Sequence, residues 1–397
     1  MDSTRVARLA VLLGALAAAR PLASSWCPAA EEGGKQGQIP ISWLTVQKPQ
    51  SKLWHDQGTW WAALPQDTGV WLWRYADGRF EPQQTPGPLK GTGPNAECDA
   101  ALHGGTLFVL AYQKEGTEIP VHALAFTEGA YRELPGYPVS LHYPGGASTI
   151  TCDVDSKGVL WAACVDAQSE VTVYSLQSKD PAAGFSGRQV LAASGRYDIA
   201  AVAAFKGHVG VLWCHQKPQK LLFRAHKDGD PADRWGPEEE VAAAKGSAND
   251  HLNLAADAAG NLWAVTKNQT GPNMPPVQIV LRRRNTEGKW DKAIPVIPPG
   301  TNRTRPIVVL DGERPLAYVL YTDRVTKPNI ICLRKVSLDD GKAGDEVKVL
   351  AADHDLNDVT DCKGMVTAPT GLMVLAGPKV AKTGPACFRR LSLEEVR

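Results

Sequence analysis

Nine side chains fall in short polar segments ahead of apolar strands: Tyr197, Asp198, Asp250, His251, Asn253, Lys267, Arg303, Arg305 and Asp358. His251 brings an imidazole that titrates near neutrality, so it is placed to act as a general base. Tyr197 is the candidate proton donor. Arg303 and Arg305 stand two apart, and in an extended segment they share one face while Thr304 takes the other. Two guanidiniums on one face can grip a carboxylate or sulfate in a bidentate way. Asp198 or Asp250 would orient the imidazole or bind sugar hydroxyls, with Asn253, Lys267 and Asp358 completing the set. Together these groups suit an acidic sugar. Each also has a structural reading: His251 as a clamp between two repeats, and either arginine as a bridge to a neighbouring repeat's aspartate. One histidine with scattered carboxylates is a poor metal set, so no metal ligand is assigned.

What must position these residues is a repeat. The clearest copy runs from Ser247 to Thr266: a polar lead, an apolar strand, a tight turn at Asp257–Gly260, and a second strand centred on Trp263. Trp61, Phe108, Trp161, Trp213, Trp263, Tyr318 and Met373 mark the same position at intervals of about 50 residues. A third strand follows in most copies, such as Val171–Tyr174 and Gln278–Arg282, and then a more polar fourth, such as Glu346–Leu350. Four short strands per repeat and seven repeats predict an all-β, seven-bladed β-propeller. The seventh repeat stops at its third strand, Cys387–Ser392. The orphan segment Gln38–Val46 is therefore expected to close that blade and cover its open edge. With 29 Pro and 37 Gly, long helices are not expected.

In such a ring the loops leading into the innermost strands, and those joining second to third strands, surround one mouth of the central channel. The nine candidates fall there. Asp155, Asp257 and Asp311 fall on the opposite face and read as turn stabilisers. The tryptophans read as packing between blades. Arg282–Arg284 reads as a solvated strand end.

Net charge is +1, from 43 basic and 42 acidic residues, which gives no basis for a nucleic-acid partner. Arg5 and Arg8 precede an apolar run from Leu9 to Ala19, too short to span a bilayer, and Ala23–Ser25 offers a cleavage site. This predicts a signal peptide over 1–25, a flexible segment over 26–37 and the propeller over 38–397, in an exported protein, secreted or periplasmic, monomeric and without an integral membrane segment. Eight cysteines fit an oxidising compartment, and none forms a Cys-x-x-Cys pair. Cys98 and Cys152 begin equivalent strands in neighbouring repeats and are the expected disulfide. Asn268-Gln-Thr and Asn302-Arg-Thr match the glycosylation sequon.

Asp250-His-Leu-Asn253 leading into Ala256–Trp263, followed by Thr304–Asp311 in the next repeat, resembles the BNR/sialidase-like propellers, in particular an exported group of them. Some relatives of that architecture are polysaccharide lyases, which remove a proton beside a uronate carboxylate with His, Tyr and Arg. The resemblance implies His251, Arg303 and Arg305 as the positions to test. The expected function is binding or cleaving an extracellular carbohydrate, as a lyase or hydrolase of acidic polysaccharide. The alternative is a non-catalytic scaffold that docks glycan or protein. No cofactor is assigned.

Overall fold

The computed structural model describes residues 34–41, 45, 49–85, 87–94, 96–269 and 273–396. The expected signal peptide, Cys27, and most of 42–48 lie outside the described residues, as do Asn95 and Thr270.

Seven antiparallel sheets form the blades of a propeller. Their innermost strands are Leu53–Asp56, Glu97–His103, Ile150–Val154, Ala200–Phe205, Leu252–Ala256, Arg303–Leu310 and Leu356–Thr360. Small and β-branched residues dominate them, as crowding around an axis requires. Gly37–Ile39 pairs with Ala386–Phe388 as the outermost strand of the seventh blade, so the N-terminal segment does close the ring. The second blade departs from the repeat: its third strand, Glu118–Thr127, pairs with two successive outer segments, Ala130–Glu133 and Val139–His142. The only helical turn among the described residues is Pro181–Ala183.

Apolar clusters fill the space between neighbouring blades. Trp61, Trp161, Trp213 and Trp263 are all at most 2% exposed and belong to these clusters. Trp161 of the third blade packs against His226 and Trp235 of the fourth. The turn aspartates hold these anchors. Asp257 accepts the Asn261 amide at 2.9 Å and the Trp263 indole N–H at 2.9 Å. Asp155 does the same for Val159 and Trp161, at 2.9 and 3.0 Å, and Asp311 accepts the Tyr318 hydroxyl at 2.8 Å. Gly260 has φ +96°, and a Cβ there would lie 2.7 Å from Lys206 Cβ in the fourth blade. The turn therefore needs glycine both for its conformation and for its fit against the preceding blade.

A polar belt ties innermost strands together across blades. Thr151 accepts the Val202 amide at 3.0 Å, and Thr360 accepts that of Lys52 at 3.0 Å. Asp99, fully buried, accepts the amides of Ser51 at 2.6 Å and Cys152 at 2.7 Å. It also receives Lys363 Nζ on both oxygens, at 3.0 and 2.8 Å. One carboxylate thus joins blades one, two and three to the segment after the seventh blade's inner strand.

Two expectations fail here. Cys98 and Cys152 do not pair, and no disulfide forms among the described residues. Cys98 lies in the cluster between blades one and two, its thiol toward the Ala63 carbonyl at 3.3 Å, while Cys152 lies between blades two and three. Equivalent positions on successive strands thus face different inter-blade layers. The Arg282–Arg284 run is not a solvated strand end: Arg282 is 7% exposed, and Arg284 binds Glu239 through two bonds of 2.8 Å.

The buried thiols bear on pH. Burial pushes Cys98 and Cys387 up to about 11, and Cys164 and Cys332 up to about 12, from 9.0. The unfolded chain therefore releases these protons first. Their stabilising contribution is complete below pH 9 and is lost as pH rises through the folded-state values. Unfolding midpoints in urea should be flat approaching pH 9 and fall above it. Cys164→Ala should remove about 1 kcal/mol of the loss between pH 9 and 10; an unchanged slope in that variant would contradict the assignment.

Candidate functional site

Three consecutive blades build the mouth of the channel at its candidate site. The fifth contributes Asp250 and His251, just ahead of its inner strand. His251 is 8% exposed. Its Nδ1 lies 2.8 Å from Asp250 Oδ1 and also contacts Asn249 Oδ1. Acceptors on that side place the ring proton on Nδ1 and leave the Nε2 lone pair toward the sixth blade. There Arg305 Nη1 stands 3.3 Å from Nε2. Arg305 Nε donates to Asn357 Oδ1 at 3.0 Å and lies 3.2 Å from Asp358 Oδ1, both on the seventh blade.

Backbone irregularity makes this contact. The inner strand of the sixth blade shifts register between Thr304 and Ile307, and that of the seventh between Asn357 and Thr360. Each bulge holds a non-glycine residue in the left-handed region, Arg305 at φ +56° and Asp358 at +47°. A bulge re-aims a side chain. Here the two re-aimed residues meet each other. Left-handed conformations of side-chain-bearing residues are costly and cluster at functional sites.

The same bulge overturns the expected pairing of Arg303 with Arg305 on one face. Arg303 instead turns along its own blade, with Nη2 2.9 Å from Glu346 Oε1, Nη1 3.6 Å from Asp323 Oδ1, and Nη1 donating to the Thr301 carbonyl at 2.7 Å. Asp323, Cys332 and Glu346 group closely enough to suggest a cation site, but the Arg303 guanidinium supplies the positive charge there. Tyr321 adds its hydroxyl to Glu346 at 2.7 Å.

Tyr197 is 72% exposed on the fourth blade's leading loop, with the Arg196 guanidinium 5.9 Å from its ring centre. It has no contact with His251. Asp198 is 2% exposed and engaged in its own loop. It accepts Ser194 Oγ at 2.9 Å, the Gly195 amide at 2.6 Å and Gln216 Nε2 at 2.9 Å. Asn253 belongs to the polar belt, accepting the Val308 amide at 3.0 Å and donating to the Pro49 carbonyl at 3.2 Å. Lys267 Nζ reaches Thr304 Oγ1 at 3.3 Å, beside the sixth-blade bulge. Of the nine candidates, Asp250, His251, Arg305 and Asp358 form one connected group, with Lys267 adjoining it. The sequon asparagines also differ: Asn268 is 3% exposed and donates to the Val277 carbonyl, whereas Asn302 is exposed.

Arg324 was missing from the sequence-derived set. It follows the second strand of the sixth blade, in a loop of the class that surrounds the mouth. Burial and the neighbouring Arg305 charge lower its pKa, while Asp358 and Asp355 raise it. Its Nε is buried without a hydrogen-bond partner among the described residues. Applying the loop rule to every blade, rather than to the Thr266–Pro276 loop alone, would have found it.

No protein-family model matches the sequence, and no curated protein matches it. Solved structures share its architecture. The SapL1 lectin in complex with alpha methyl fucoside aligns with a TM-score of 0.50 at 12% identity, over 78% of this chain and 97% of that one. Kuenenia stuttgartiensis hydrazine synthase aligns with a TM-score of 0.54 at 9% identity, over 87% and 96%. The polysaccharide lyase Uly1 aligns with a TM-score of 0.44 at 11% identity, over 87% and 90%. At these identities the likeness is one of fold alone.

Proposed function

We propose that the mouth formed by blades five to seven binds an acidic saccharide, with Arg305 and Arg324 taking its carboxylate or sulfate. The observation that carries this reading is the pair of guanidiniums within electrostatic reach of each other, one with a buried N–H that has no described acceptor. Asp358 faces both guanidiniums, and two like charges sharing one carboxylate leave positive potential for a second anion. Asp250 and Asp358 lie beside the pair and suit sugar hydroxyls at its margin. The fold likeness to the SapL1 lectin, solved in complex with alpha methyl fucoside, supports a saccharide as the ligand class.

A second reading adds catalysis. Asp250 polarises His251 through Nδ1, so Nε2 is the basic atom once Arg305 Nη1, 3.3 Å away, turns from it to the substrate carboxylate. With the uronate carboxylate on the guanidiniums, Nε2 would remove the adjacent carbon-bound proton and the leaving sugar would depart by elimination. Tyr197 does not supply the donor in this arrangement, so the donor would be water or a substrate hydroxyl. The test is a screen of the mature protein against acidic polysaccharides, recording both binding and ultraviolet absorbance of an unsaturated uronate. Binding together with absorbance that disappears in His251→Ala establishes the lyase. Binding without absorbance, retained in that variant, leaves a lectin-like protein. Absence of binding to any acidic polysaccharide rejects the proposal.

A further inference from the structure

On the face opposite the mouth, a half-open cleft of about 540 Å³ separates blades two and three. Its walls are turns: His103–Thr106 from blade two, and Lys157–Gly158 and Ser178–Pro181 from blade three. Phe108, Leu134, Tyr137 and Pro181 give it an apolar lining. Its charged lining groups are Lys157 and Lys179, with His103 beside them; the one carboxylate of the wall turns, Asp180, is exposed and is not among the lining residues. Three nearby acids each hold a partner of their own. Asp155 holds Trp161, Asp228 holds Ser156 at 2.6 Å, and Glu133 holds His122 at 2.8 Å. Neither lysine has an ion-pair partner among the described residues.

The walls are also fixed in advance. Tyr137 donates its hydroxyl to the Ser178 carbonyl at 3.0 Å, so the blade-two wall is tied to blade three. Gly136, at φ +85°, seats that wall: a Cβ there would lie 2.7 Å from Pro181 Cγ. Ser156 is anchored from the fourth blade by Asp228 through both its amide and its hydroxyl. A preformed cleft with an apolar lining and a net positive rim has the character of a small-molecule site.

We infer that this cleft binds a small organic anion with a flat apolar face. The flat face lies against Tyr137 and Pro181, and the anionic group meets Lys157 and Lys179. The size is that of a small-molecule site.

The intact chain would be titrated with anilinonaphthalene sulfonate, which has this chemistry, and with its uncharged analogue phenylnaphthylamine. The expected result is one saturable sulfonate site whose affinity falls tenfold or more in the Lys157→Glu/Lys179→Glu double variant. Both positions are exposed, so circular dichroism should confirm an unchanged fold. Arg305→Ala should leave this site intact, which separates it from the mouth. Displacement of the probe by benzoate would identify an aromatic carboxylate, and displacement by glucuronate a sugar acid. Absence of saturable binding, equal affinity for the uncharged analogue, unchanged affinity in the double variant, or displacement by neither carboxylate would each overturn the inference.

Discussion

Arg305→Gly is expected to lose acidic-saccharide binding yet remain more stable than Arg305→Ala. Arg305 sits at φ +56°, where an L-residue costs about 1–2 kcal/mol. Glycine removes that cost and adds about 0.5–1 kcal/mol of backbone entropy, so the glycine variant should exceed the alanine one by roughly 0.5–1 kcal/mol. Both should fall below the parent, because Asp358, 3% exposed, loses the guanidinium that faces it. A hydrogen bond to a charged group contributes about 1.5–3 kcal/mol, so the affinity loss should be tenfold to a hundredfold. Urea unfolding and oligosaccharide titration on the two variants read both quantities. An alanine variant the more stable of the two would remove backbone strain from the account. Binding retained in both would remove Arg305 from the site.

The largest effect on stability is expected at Asp99. Asp99→Ala orphans the amides of Ser51 and Cys152 and takes from Lys363 the carboxylate that binds it, leaving only the field of Asp153. Removing one member of a buried pair costs about 3–5 kcal/mol. Adding Lys363→Met should restore part of the loss, since the second change removes the stranded charge. A coupling energy of at least about 1 kcal/mol is the expected signature. Strict additivity of the two changes would show that the belt's energy lies in the amide contacts alone.

The contrast between these residues explains what the sequence could convey. The blades were legible because Trp161, Trp263 and their counterparts recur at one place in the repeat. Asp155 and Asp257, each six residues before its tryptophan, announce the turn locally. The clasp was legible because the seventh repeat lacks an outer strand and Gln38 begins one. Asp99 carried no such signal, since its partner Lys363 lies in the last blade. The bulge after Thr304 was also hidden. No glycine marks the left-handed residue, so a regular strand placed Arg303 and Arg305 together when the real backbone separates them. Arg282 was misread for a related reason: a run of arginines reads as solvent-facing until the strand's neighbours are known. His251 and Asn357 were found by residue type and repeat position, whereas Arg324, beside Arg305, follows a second strand whose short loop did not mark it.

The pairing of Gly37 with Phe388 gives the fold an order in time. The two residues are about 350 positions apart, and closing a flexible loop of that length costs roughly 5 kcal/mol by the logarithmic rule. Each other blade assembles from contiguous chain and can form as soon as its own strands are available. The seventh cannot, because one of its strands precedes the other six blades in the chain and the rest follow them. An emerging chain must therefore carry an unpaired strand edge through most of its synthesis. Once the clasp is shut, the last blade is held by strands from both sides of the ring and has no free outer edge from which to peel.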